Sequence, residues 1–106
     1  MARAPEHDAI RDQLWARIAA LDVRAPYAPP ADLADDVEAI RRIVHGLGLT
    51  PAVTVTHFID RALMRDGDAG PVHGWLTMLT DAIASERQDL ETANRFADAC
   101  SMRLAG

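Results

Sequence analysis

From Trp75 to Ala105 the chain contains neither proline nor glycine. Starting just before it, Val72, Leu76, Leu79, Ile83, Glu86, Leu90, Ala93, Ala97, Cys100 and Leu104 follow one another in alternating steps of four and three, with Glu86 the single charged intruder. That spacing draws one stripe down an α-helix, like the seam of a coiled coil, and does not fit the two-residue period of a strand. An unbroken helix of about 31 residues would be about 46 Å long. A compact globule of this chain length is only about 33 Å across. Either the helix breaks at Ser85-Glu86-Arg87-Gln88, which has the Ser-x-x-Gln pattern of a capping box, or its overhang packs on another subunit. No Gly, Pro or Asn stands near Ala84 to end a preceding helix, and the seam keeps its phase across the junction. The expectation is therefore a continuous helix over 72–104 that pairs with a second copy.

Proline and glycine divide the rest of the chain into three shorter segments. Over 6–22, Ile10, Leu14, Ile18 and Leu21 share one helical face, with Trp15 at its edge. RAPYAPP, residues 24–30, carries three prolines and reads as an extended linker. A second helix is expected over 32–45, with the stripe Leu33, Val37, Ile40, Val44 and Leu47 and with Gly46 as its left-handed stop. Arg41, Arg42 and His45 complement the dipole at its end.

The stretch LTPAVTVTHFIDRALMRDG, residues 49–67, alternates like a strand only as far as Thr56. At 100° per residue, Ala52, Val55, Phe58, Ile59, Ala62 and Leu63 fall on one side, while Thr54, Thr56, His57, Asp60, Arg61 and Arg65 take the other. A third helix over 51–65 is expected, entered through Thr50 and Pro51. The stretch also resembles the recognition helix of MarR-type winged DNA-binding regulators, and the segment before it supplies a helix-turn-helix spacing. A strand-turn-strand wing should follow in that family, but here DAGPVHGWL leads into another helix. Asp60 and Asp66 offset Arg61 and Arg65, whereas DNA readers concentrate basic charge on that face.

Charge bears on the same question. The net charge of −5 works against non-specific contact with phosphate backbones or anionic membranes, so nucleic acid is an unexpected partner. All eleven basic residues are arginine, a usage that points to GC-rich bacterial coding. One cysteine, Cys100, cannot form an internal disulfide, and no apolar run approaches a membrane span, so a cytoplasmic protein is expected.

Little in the chain points to catalysis or to a cofactor. His7, His45, His57 and His73 lack both i,i+4 spacing and the Glu-x-x-His arrangement of helical metal sites. RDGDAGPVHGWLT opens like a calcium loop, but Thr77 stands where the bidentate Glu is needed. Cys100 lies on the apolar seam, where a thiol stays protonated. No metal and no cofactor are expected.

The sequence thus predicts a single all-α domain over 1–106, three shorter helices packed on a long C-terminal one. The expected role is a non-enzymatic interaction or regulatory module that forms a homodimer through Leu76, Leu79, Ile83, Glu86, Leu90 and Ala97. One alternative is a helix-turn-helix regulator using 51–65. Another is a small-molecule binder with a pocket near Trp15, Phe58 and Trp75.

Overall fold

A computed structural model describes residues 5–66 and 72–105, and it contains five helices with no strand among those residues. Helix α1 spans Pro5–Arg24 and buries Leu14, Ile18 and Leu21, as their spacing predicts. The expected extended linker is instead a set of turns. The N–H of Ala25 reaches the carbonyl of Leu21, and those of Tyr27 and Ala28 reach Arg24. These three residues supply the donors that the prolines lack, so the chain turns without leaving an orphan group. Pro29 is extended, and it caps α2 (Pro30–Gly46) with a proline in the first turn.

Leu33, Val37, Ile40 and Val44 form the buried face of α2. Its left-handed stop is Gly48, at φ +73°, and not Gly46. The N–H of Gly48 bonds to the carbonyl of His45 and that of Leu49 to Val44, which is a Schellman closure. The closure needs positive φ two residues after Gly46, and buried Leu49 folds back over the helix end.

Helix α3, Thr50–Asp66, is the centre of the molecule: α2, α4 and α5 all pack on it. Its buried arc is Ala52, Val55, Thr56, Ile59, Ala62 and Leu63. Thr56, expected on the polar face, is fully buried and donates its hydroxyl to the carbonyl of Val53 at 2.6 Å. A threonine satisfied within its own helix can join a core at little cost.

The long C-terminal helix is the main correction. It is two helices, α4 (Val72–Ala84) and α5 (Leu90–Ala105), separated by residues 85–89. The side chains of α5 run back along α4: the Cys100 thiol donates to the Met78 sulfur at 3.1 Å, and the Arg103 guanidinium lies 5.4 Å from the Trp75 ring centroid. The break is held by side chains in place of glycine. Gln88 donates its amide to the carbonyls of Ala82 and Ser85, closing the end of α4. Asp89 then accepts the N–H of Thr92 at 2.9 Å, as an N-cap does for α5. The pattern that starts the last helix is therefore Asp89-x-x-Thr92, not Ser85-x-x-Gln88.

Hydrogen bonds from Thr92, followed by those from Arg87, hold the Asp89 carboxyl down to about 2. A folded value below the unfolded one adds stability that is complete above pH ~4 and is lost as pH falls through the folded value near 2. Asp89→Ala is expected to lower the melting temperature at pH 7. The gap from the parent should close between pH ~4 and pH ~2, which melts at stepped pH will check.

Candidate interaction surface

The structure separates the six residues expected to form an interaction face. Leu76, Leu79 and Ile83 lie in the protein's own core, against the buried arc of α3 and its neighbours. Glu86 is exposed in the α4–α5 turn, where the seam opens, and Ala97 is half-buried. Leu90 opens α5 with 70% of its surface exposed.

The aromatic trio is spread over three helices, Trp15 on α1, Phe58 on α3 and Trp75 on α4. Trp75 is buried beneath Arg103, and Phe58 is half-buried with the Arg61 guanidinium 5.3 Å from its ring centroid. Trp15 lines a groove. That groove, about 260 Å3 between α1 and α4, also holds Asp22, His73, Thr77 and Thr80. Nδ1 of His73 is 2.9 Å from both carboxylate oxygens of Asp22, a pairing across 51 positions of sequence that no local pattern announces.

The exposed apolar residues lie elsewhere. Among the described residues, three of the five exposed large hydrophobic side chains belong to α3 and α5: Met64 at 83%, Met102 at 77% and Leu90. The C-terminal turns of α3 and α5 come together in a shallow, mostly apolar depression of about 510 Å3, lined by Asp60, Arg61, Met64, Arg65 and Leu104. Arg65 donates to the carbonyl of Leu104 at 2.7 Å, tying the two helix ends and offsetting the negative end of the α5 dipole. At the rim, burial raises the Asp60 carboxyl above the usual carboxylate range, and the nearby Glu38 charge raises it further.

Helix α3 is packed on three sides of its apolar arc. Its long buried arc is covered by three helices, and its two outward arginines stack on Phe58 and hold the end of α5. Burial pushes the Cys100 thiol up to about 11, so it is protonated at neutral pH. Among the described residues, no group of three or more His, Cys, Asp or Glu is placed to hold a metal ion. Of the calcium-loop reading over 66–77, residues 67–71 lie outside the described residues and 72–77 belong to α4. No helix among those residues is long and apolar enough to cross a membrane.

No protein-family model matches the chain, and comparisons with curated proteins and with solved structures yield no match.

Proposed function

We propose that the chain is a non-enzymatic module that works by self-association, with a second copy covering its α3–α5 side. The observation that carries this reading is the placement of Leu90, Met102 and Met64, large apolar side chains left outside on two adjacent helices. Single exposed hydrophobics are ordinary, and Leu90 stands at the opposite end of α5 from the Met64 depression; the reading rests on how many large apolar side chains these two packed helices leave in water. Methionine adapts its shape readily, which suits a contact that must form and part.

Charge complementarity favours a second copy as that partner. The rim of the depression carries both signs, Asp60 beside Arg61 and Arg65, so a two-fold axis can set each acid against an arginine of the other copy. A stable dimer buries about 800 Å2 on each partner. The molecule's Cα extents of 45 × 28 × 17 Å describe a flat body with faces broad enough to supply that area.

Light scattering across a dilution series tests the proposal, and a dimer is expected. The double variant Leu90→Asp, Met102→Asp should weaken it at least tenfold, since both side chains would carry charge into the contact. A monomer that persists at millimolar concentration would overturn the reading.

A further inference from the structure

We propose that self-association proceeds by exchange of α5: residues 85–89 straighten, α4 and α5 fuse into one helix, and α5 docks on α3 of a second copy. The proposal rests on the self-association reading and specifies the route.

Four observations converge on it. First, the apolar seam keeps its phase across the junction, so Ile83, Leu90 and Ala93 would share one face of a fused helix. Second, the junction contains no proline or glycine, and no non-glycine residue among the described ones has positive φ. Fusion asks no residue to leave a left-handed conformation, and Glu86, Arg87 and Gln88 are good helix formers.

Third, the closed turn is imperfect. Oε1 of Gln88 is buried without a hydrogen-bond partner, although its amide nitrogen caps α4. A buried orphan acceptor is costly, and fusion would release that side chain to solvent. Leu90 is left exposed by the same turn. In an exchanged pair, two fused helices cross near residues 86–90, where the two copies of Leu90 can cover each other.

Fourth, the backbone of α5 packs mainly on α3, and its side-chain contacts with α4 include the Cys100–Met78 and Arg103–Trp75 pairs. An α5 arriving from a second copy can remake each of these. Exchange therefore keeps the contacts of α5 with α3 and α4, gives up the caps made by Gln88 and Asp89, and adds the contacts at the crossing.

The experiment refolds the full chain at millimolar concentration, so that either arrangement can be reached. Dimer and monomer are separated, and the distance between spin labels on Thr77→Cys and Ser101→Cys is measured. The labelled chain is diluted with unlabelled protein so that only distances within one chain are read. In the closed hairpin both sites lie beside the Met78–Cys100 contact, and strong dipolar broadening results. In a fused helix they stand about 36 Å apart.

The expected result is the long distance in the dimer and the short one in the monomer. Glu86→Pro, which breaks a fused helix but falls in the turn of the closed form, should weaken dimerisation at least a hundredfold. Asp89→Ala, which removes a cap used only in the closed form, should strengthen it. Should Glu86→Pro fail to fold, the label distance and Asp89→Ala decide the matter. A dimer whose labels stay close within each chain would overturn exchange and leave self-association standing. A monomer at millimolar concentration, in both the parent and Asp89→Ala, would overturn both.

Discussion

Leu79→Ala is expected to destabilise the fold by ~2–5 kcal/mol, the range for emptying a fully buried leucine site. Leu90→Ala should stay within about 0.5 kcal/mol of the parent monomer, as surface changes do. The two leucines occupy the same apolar stripe in sequence, yet Leu79 is completely buried and Leu90 is largely exposed. Truncating Leu79 leaves a cavity among α4 and its neighbours, which cannot close fully because core packing is already dense. Truncating Leu90 removes atoms that already face water. Its effect should appear in association, as a weaker dimer at a given concentration. Denaturant melts at low concentration measure the first quantity and light scattering the second. Equal loss of monomer stability from both changes would contradict the α4–α5 break and restore the continuous seam.

The seam misled for a physical reason. Two helices folded back on one body each turn an apolar face toward it, so their patterns can stay in phase across the turn. Periodicity reports which side is buried and says little about whether the chain reverses. The information lay in polar residues: Glu86 at a seam position marked where the stripe leaves the core, and Asp89-x-x-Thr92 marked a helix start. Neither Gln88 as a cap for the preceding helix nor the missing glycine at the turn follows a common stop signal.

Elsewhere the helical stripes were legible because packing follows them. Leu14, Ile18 and Leu21 in α1, and Leu33, Val37, Ile40 and Val44 in α2, are buried as their spacing predicts. The stop of α2 was misplaced by two residues because GLG offers two glycines and the closure geometry selects the second. Of the candidate interaction surface, the sequence pattern singles out Leu90 but neither Met64 nor Met102. Exposure depends on which neighbours arrive from distant segments. The Asp22–His73 pair was illegible for the same reason.

Ile59→Ala is the second large effect, with an expected loss of ~2–5 kcal/mol. Helix α3 carries three neighbours, and Ile59 lies fully buried on the arc that meets them. Ala52 and Ala62 flank it on that arc, and their small side chains let the neighbouring helices approach closely. Collapse around the lost atoms would have to move more than one of those helices, so the cavity should persist and the cost should fall toward the upper part of the range. His57→Ala, on the exposed face of the same helix, should change stability by no more than about 0.5 kcal/mol. The contrast tests what α3 is for. A helix that holds three neighbours together cannot lose a residue from its inner face cheaply. Equilibrium unfolding of the two variants decides this, and an Ile59→Ala loss below about 1 kcal/mol would show that α3 does not hold the fold together.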